Sequence, residues 1–480
     1  MIVMKFGGSS VGGTEQLDRV AEHVLDKRAL QPCVVVSAMG KTTDALFAAA
    51  RAARGGDIDA ALATIAPALG HAEAVAGELL GEHDAHALAA IAVVRDELHV
   101  LLRGVAMLRE LTPRTTDTIV AYGERLTSLL LAALLAQRGA TVLHVDARRF
   151  LRTDDRFGHA RPQRDLIARL VAEHVAPHLR AGTIVVTEGY VGATAEGYTT
   201  TLGRGGSDWS AALLGEALAA EEVQIWTDVE GVLTADPRLV PAARPIDVLT
   251  PAEAAELAAF GAKVLHPSTM QPAVDARVPI TVRNTLLPRG AFTTIDPRTD
   301  VAARNGIAAL ATRGPVTVLT MTSTRMLATS GYLAKLFAAF GALDICIDLV
   351  VTAEISVACT VEPDAPIERL VEQLAGLARV EIARDRAIVA AVGEGLRSAP
   401  GTVERACRAL LPATPELICF GGNDRNLSFV VHRDQAAAAM QRLHDEFFPA
   451  VAPAKAAPAR QPRPAARIAP AAGHTFEASP

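Results

Sequence analysis

Cysteine is scarce in this chain: five in 480 residues, with no Cys-x-x-Cys pair. Cys33, Cys346, Cys359, Cys407 and Cys419 are too scattered to frame a zinc site or a disulfide network, and such use fits a reducing cytoplasm. An excess of either charge is also missing. Lys and Arg number 47 against 53 Asp and Glu, a net charge of -6, and the isoelectric point is about 6.1. That balance suggests no nucleic-acid and no membrane partner. No basic segment leads into a long apolar core at the start, so no signal peptide is expected. No stretch reads as long and charge-free enough to cross a bilayer. The G-x-x-x-x-G-K-[ST] loop and the protein-kinase motif set are absent. A phosphate enzyme here is therefore neither a Walker-type NTPase nor a protein kinase.

Apolar residues are plentiful, at 50% of the chain, with mean hydropathy +0.24. At this length they support a sizeable core and two or more domains. Over the first 300 residues, short β-type runs alternate with helical stretches. Buried strands are expected at 33–37, 141–145, 183–187, 223–226 and 279–282, with Ala/Leu/Glu/Arg-rich segments between them. Such alternation predicts an α/β domain with a largely parallel sheet. The stretch 57–111 carries no strand signal and reads as a helical insertion. After about residue 305 the rhythm becomes strand, helix, strand, strand, helix, strand. One copy covers 316–384 and a second about 385–449, with an extra strand at 306–313. The stretch 450–480 is Ala/Pro/Arg-rich, cannot build a core, and is expected to be a disordered tail or linker.

Five motifs carry chemistry. Ile2-Val3-Met4 runs into Lys5-Phe6-Gly7-Gly8-Ser9-Ser10-Val11, a strand entering a turn. Glycines there let the backbone approach a polyphosphate, Ser9 and Ser10 add hydroxyls, and Lys5 adds charge. A Gly-rich turn alone is more often only a turn. Thr199–Asp208 packs small and hydroxyl residues around Arg204 before a helix, with Ser207 and Asp208 placed as caps. Trp226-Thr227-Asp228-Val229-Glu230-Gly231-Val232 follows a strand at the edge where α/β proteins bind ligands, and Asp228 suits a metal or a nucleoside. Asp236-Pro237 is a good turn in its own right. In Phe260-Gly261-Ala262-Lys263-Val264-Leu265-His266-Pro267, Lys263 either snorkels or reaches a phosphate, and His266 reads as structural. In Tyr122-Gly123-Glu124-Arg125-Leu126, Glu124 is either a helix-dipole partner or a ligand for an ammonium group.

Taken in order and spacing, the Lys-Phe-Gly-Gly-Ser-Ser-Val, Thr-Thr-Leu-Gly-Arg-Gly-Gly-Ser-Asp, Trp-Thr-Asp-Val-x-Gly-Val and Phe-Gly-Ala-Lys-Val-Leu-His-Pro blocks closely resemble aspartate kinases of the amino-acid kinase family. The match runs from residue 1 to about 449. The resemblance implies an amino-acid kinase fold, a largely parallel sheet sandwiched by helices over 1–298, followed by two βαββαβ ACT domains. The first ACT unit, 316–384, would be inserted into the second, built from 306–313 plus 385–449. It implies phosphoryl transfer from MgATP, with ATP and Mg2+ as cofactors, to the side-chain carboxylate of L-aspartate. Lys5, Asp208 and Lys263 would be catalytic. Lys5, Gly7, Gly8, Ser9, Thr227, Asp228, Arg238 and Lys263 would hold the nucleotide. Ser37, Thr43, Glu124, Arg204 and Ser207 would hold aspartate. No resident metal site of the protein is implied.

The first ACT unit resembles the regulatory site of lysine-sensitive members. Met326, Thr329, Gly331, Tyr332, Leu333, Cys346, Ile347, Asp348 and Glu354 would form it, with lysine the expected effector. The resemblance further implies a cytoplasmic homodimer paired through the ACT domains, or a tetramer built on it. Departures from the family pattern are Ser9 for Thr, Leu233 for a Tyr that often meets the nucleotide, and Cys346 and Ala353 for hydroxyl residues of the effector site. Each lost donor weakens effector binding by roughly 1 kcal/mol. Three rivals remain: a kinase for glutamate, carbamate or a nucleotide; the kinase half of a bifunctional enzyme; and a non-catalytic amino-acid sensor. The intact Lys5, Glu124, Arg204, Asp208 and Lys263 weigh against the last.

Overall fold

Strands of Val, Ile and Met that are buried on both faces need a covering layer on each side, as in a helix-covered parallel sheet. The computed structural model, which describes residues 1–81, 85–262, 265–299 and 306–449, builds that sheet from the N-terminal half. Its elements in chain order are β1 (Ile2–Phe6), α1 (Thr14–Asp26), β2 (Pro32–Val36), α2 (Thr42–Arg54), α3 (Ile58–Leu80), α4 (Ala85–Leu108), α5 (Pro113–Val120), α6 (Tyr122–Gln137), β3 (Val142–His144), α7 (Arg164–His174), α8 (Ala176–Arg180), β4 (Ile184–Glu188), β5 (Val191–Ala193), β6 (Thr199–Thr201), α9 (Gly206–Ala217), β7 (Glu222–Thr227), β8 (Val248–Leu249), α10 (Pro251–Ala259), α11 (Pro267–Asp275), β9 (Ile280–Asn284) and β10 (Thr293–Ile295). The sheet order is β3-β4-β2-β1-β7-β9-β10-β8. Pairing is parallel from β3 through β9, and β10 turns back antiparallel to β9.

Period-two alternation sorts the strand side chains between two layers. Val3, Cys33, Val35 and Val185 face α7, α9 and α11. Ile2, Met4, Phe6, Val34, Val36 and Val186 face α1, the α3–α4 insertion and α6. One expectation needs correction here. Pro113–Gln137, the joined α5 and α6, is long and apolar enough by length and composition to cross a bilayer, and two-thirds of its most apolar window is buried inside the fold. Leu126, Leu130, Leu131 and Leu134 lie in the core under the sheet, which accounts for the apolarity.

The C-terminal part is one continuous six-stranded antiparallel sheet. It comprises β11 (Gly306–Thr322), α12 (Tyr332–Ala342), β12 (Ile347–Thr352), β13 (Ser356–Val361), α13 (Ile367–Leu374), β14 (Arg379–Glu394), α14 (Thr402–Leu410), β15 (Leu417–Phe420), β16 (Asn426–His432) and α15 (Arg433–Phe447). The order is β12-β13-β11-β14-β16-β15. The early part of β11, Gly306 to Arg313, pairs with Ile388 to Glu394, while Thr317 to Thr322 pairs with β13. One strand thus serves both small units, with register shifts between Arg313 and Val318 at the join. The second unit also grips the kinase domain. Ala235 and Val240, from the excursion after β7, lie in its core. Glu256 of α10 accepts from the amides of Asn423 (2.6 Å) and Asn426 (2.8 Å), and Thr234 Oγ1 meets His444 Nε2 at 2.9 Å. The stretch 450–480, expected to be a tail, lies outside the described residues.

Candidate active site

Parallel strands present their C-terminal ends, and the loops that leave them, along one edge, which is where α/β sheets bind ligands. Here the ends of β1, β2 and β4 and the N-terminus of α9 enclose a cleft of about 630 Å3. Eight of the expected residues line it together: Lys5, Gly8, Ser37, Thr43, Glu124, Arg204, Ser207 and Asp208. They come from sequence positions 200 residues apart, so their meeting is a tertiary result.

Lys5 keeps the parity of Val3 and therefore faces α9. Its Nζ lies 2.7 Å from Asp208 Oδ1, with little of either side chain exposed. The contact is a close ion pair but is not aligned as a hydrogen bond, since the buried Asp208 Oδ1 has no hydrogen-bond partner. Asp208 thus holds Lys5 by charge and leaves its donors to turn toward a phosphate. Gly8 is required by close approach: a Cβ there would sit 2.9 Å from the Ala38 carbonyl oxygen. The start of α9 corrects one expectation. Its N-cap is Gly205, in the left-handed region at φ 72, with no side-chain cap. That conformation favours glycine, so Ser207 and Asp208 fall in the first helical turn and are not caps. The unpaired N–H groups of that turn and Arg204 make this corner suited to an anion.

Glu124, in the first turn of α6, supplies the opposite sign. It is only 3% exposed. Its Oε1 accepts from the Ala38 N–H at 3.2 Å, while Oε2 is buried without a hydrogen-bond partner. Burial pushes its pKa up to about 8; the Ala38 N–H and the Lys5 charge oppose that shift, and nearby Glu188 adds to it. An unsatisfied buried carboxyl oxygen beside a cleft asks for a cationic guest.

The other expected residues sit elsewhere. The Gly7 N–H donates to the Trp226 carbonyl at 3.1 Å, extending the β1–β7 ladder, so it is not free to meet a phosphate. Ser9 is exposed at the turn, while Ser10 is buried against Thr285 Oγ1 at 2.7 Å. Thr227 ends the neighbouring strand β7 and its hydroxyl donates to Oδ1 of Asp228, just beyond the strand, at 3.1 Å. Arg238 turns its guanidinium onto Asp236. None of these lines the cleft. Lys263 lies outside the described residues.

Among the cleft residues that sequence reading missed, Asp117, His159 and Tyr190 matter most to its shape and charge. Asp117 of α5, 1% exposed, accepts from the Gly158 N–H (2.8 Å), the Thr201 N–H (2.9 Å) and Thr201 Oγ1 (2.8 Å). It ties the loop bearing His159 to the strand that leads to Arg204, and burial raises its pKa. Tyr190 lines the cleft with φ 69, a strained setting for a non-glycine residue. The Ser210 hydroxyl, accepting from the Tyr190 N–H at 3.0 Å, helps hold it there. His159 comes from a loop without local signature.

In the first ACT unit, Met326 and Thr329 lie on and after a short 3-10 turn, Gly331 is the left-handed N-cap of α12, and Tyr332 and Leu333 open that helix. Tyr332 is turned into the unit's own core and its hydroxyl donates to the Leu377 carbonyl. Cys346 is exposed just before β12; Ile347 and Asp348 begin that strand, and Glu354 is exposed in the β12–β13 turn. Arg313 Nη1 donates to Asp348 Oδ1 at 2.8 Å, and its other arm reaches Glu362. Asp348 Oδ2 is buried without a hydrogen-bond partner.

Comparison with known proteins agrees with this fold. The model of the amino acid kinase family matches residues 1–284, and an ACT domain model matches 389–447. The chain is 37% identical over 461 residues to lysine-sensitive aspartokinase 3 of Escherichia coli, covering 93% of this chain and 99% of that one. It is 35% identical to chloroplastic aspartokinase 1 of Arabidopsis thaliana, covering 93% and 80%. Among solved structures it resembles E. coli aspartokinase III with lysine and aspartate (T-state), TM-score 0.78, and with aspartate and ADP (R-state), TM-score 0.77. Both are 36% identical to it and cover 93% of this chain, with 99% and 100% of those chains covered. The chain belongs to the amino acid kinase family, among its aspartokinases.

Proposed function

We propose that this chain transfers the γ-phosphoryl group of MgATP to the side-chain carboxylate of L-aspartate, giving 4-phospho-L-aspartate for aspartate-family amino-acid biosynthesis. One observation carries the reading: the Lys5–Asp208 pair, Arg204 and the buried Glu124 converge on a single cleft at the strand ends. Aspartate offers two carboxylates and an ammonium group. Arg204 suits the α-carboxylate through a planar two-pronged contact, and Glu124 suits the ammonium. The side-chain carboxylate, ionised at neutral pH, attacks the γ-phosphorus. The bond to the β,γ-bridging oxygen breaks and its electron pair leaves with ADP. No proton has to move, so the work is alignment and charge neutralisation. Lys5 serves the second. Mg2+ enters on the phosphates as part of the nucleotide substrate. A hydroxamate assay with MgATP and L-aspartate tests this: aspartate-dependent acyl phosphate is the expected result. Its absence, with an amino acid still bound, would favour the sensor reading.

The same reading makes lysine the effector of the first ACT unit, with Asp348 and Glu354 receiving its ammonium groups. Arg313 is then the resident cation that lysine displaces from Asp348. The strand that carries it passes close to the kinase domain: a Cβ built on Gly261 would lie 3.2 Å from the Thr312 carbonyl oxygen and 3.7 Å from Arg313 Cβ. Displacing Arg313 thus bears on the Phe260-Gly261-Ala262 turn. Arg313→Ala removes the cation that lysine has to displace and is expected to lower the half-inhibitory lysine concentration at least about tenfold, with both KM values changed by less than about threefold. Inhibition curves that overlay the wild type would remove Arg313 from the linkage.

A further inference from the structure

Helix α4 has two apolar faces, and the fold covers one. Ile91, Val94, Leu98, Leu102 and Val105 point into the core. Val93, Val100 and Met107 point away from it, 52%, 68% and 82% exposed, at intervals of seven residues. An amphipathic helix in a globular protein has one apolar stripe and a polar back. This back has an apolar row, the pattern of a helix that meets another helix.

The residues around Val100 say which helix. Asp96 stands four positions before it, and Arg103 three after; both are exposed. Asp96 already pairs with its neighbour Arg95, itself engaged by Glu73, yet its side chain remains 66% exposed. Gly104 lies on the same face, and a Cβ added there would meet nothing within 4 Å. Consider a second copy of α4 laid antiparallel across the first, with the two-fold axis at Val100. Val100 then meets Val100, and Val93 meets Met107 at either end. Asp96 of each helix comes level with Arg103 of the other, within about 1.5 Å along the axis at the standard rise. Gly104 lets the backbones approach. A two-fold contact needs a patch complementary to itself, and opposite charges equally spaced about an apolar centre meet that need. A parallel pairing in register would instead stack Asp96 on Asp96 and Arg103 on Arg103.

We propose that α4 pairs with α4 of a second copy of this chain, antiparallel and centred on Val100, as a subunit contact separate from any pairing of the ACT units. From Val93 to Met107 the helix is about 21 Å long. That is small beside a stand-alone interface of roughly 1,600 Å2, so this contact adds to another one and ties dimers into a larger assembly or braces a dimer at a second point.

Site-directed cross-linking in the full chain reads it directly. The background carries Cys346→Ser, because Cys346 is exposed, and the same background without further change sets the baseline. With a short bis-maleimide, Val100→Cys is expected to give a covalent dimer. Val93→Cys alone is expected to give none, because the two copies of residue 93 lie about 21 Å apart along the pair. Val93→Cys co-expressed with Met107→Cys is expected to cross-link. In sedimentation, Asp96→Arg or Arg103→Asp alone lowers the assembly state or raises its dissociation constant at least about tenfold, and the double reversal restores it. No product at position 100 above baseline would overturn the proposal. So would Val93→Cys linking to itself as well as it links to Met107→Cys, or a double reversal no better than either single change.

Discussion

Lys5→Ala lowers kcat for aspartate-dependent acyl phosphate formation by about a thousandfold, the scale of losing one preorganised donor to a developing negative charge. Most of the loss falls in kcat, because the Lys5 charge is worth most when the transferring group spreads charge over its oxygens, and less when aspartate merely binds. The variant also has a cost in the folded protein. Asp208 lies 2.7 Å from Lys5 Nζ with a fifth of its side chain exposed, and removing the lysine leaves that carboxylate without its counter-charge. A control separates the two effects. Lys5→Met with Asp208→Asn removes both charges at once, so its unfolding midpoint returns toward the wild type while activity stays lost. Urea unfolding and the hydroxamate assay on the wild type and the two variants measure this. A Lys5→Ala enzyme within tenfold of wild-type kcat would take Lys5 out of the chemistry. A double variant that regains activity along with stability would make the pair structural only.

The parts of this molecule that could be read in advance are those whose causes are local. Apolar runs at 33–37, 183–187, 223–226 and 279–282 become β2, β4, β7 and β9 within a residue or two, because a strand buried on both faces must be continuously apolar wherever it sits. The two- and three-residue strands β5, β6, β8 and β10 have no such signature; β8 exists because β10 lies beside it. The expected bounds 306–313 and 316–384 pass over Gly314-Pro315, yet β11 runs through it. The missing proline N–H is absorbed where the register shifts, between Arg313 and Val316. The site divides in the same way. Lys5, Glu124, Arg204 and Asp208 stand in motifs whose composition already suggested ligands. Asp117 has no motif: its role appears only when Gly158 and Thr201, 41 and 84 residues away in sequence, are brought to its carboxylate. The placing of Ser207 and Asp208 as caps failed because Gly205 in a left-handed conformation starts α9 without one. The apolarity of Pro113–Gln137 was underestimated for the opposite reason: Asp117, Glu124 and Arg125 interrupt the run in sequence, while its leucines fill the core.

Glu124 makes aspartate binding depend on pH, and the direction follows from its surroundings. Burial holds its carboxyl protonated up to about pH 8 in the unliganded protein. The substrate ammonium needs the ionised form. Below pH 8, binding therefore has to expel a proton, and kcat/KM for aspartate is expected to rise about tenfold per pH unit from pH 6 toward 8 and then flatten. At saturating aspartate kcat stays level over the same range, because the bound ammonium holds Glu124 ionised. Stability runs the other way. The folded pKa lies above the ordinary carboxylate value of 4.5, so the contribution of this group to stability is fully present below about 4.5 and is lost as pH rises through about 8. Aspartate offsets that loss by pairing with the charge, and its stabilising effect on the melting temperature grows over the same window. Glu124→Gln keeps an acceptor for the Ala38 N–H but cannot ionise. It is expected to raise KM for aspartate about a hundredfold, the loss of a charge-assisted bond, to leave KM for ATP within a few-fold, and to abolish the pH slope. Without aspartate at pH 8.5 it should melt above the wild type, since nothing in it has to be ionised while buried. Initial rates from pH 6 to 8.5, with calorimetric proton release measured in two buffers of different ionisation enthalpy, decide the matter. A flat wild-type profile with no proton released would mean that Glu124 is already ionised before aspartate arrives, and that the unpartnered Oε2 finds its counter-charge in Lys5 instead of in the substrate.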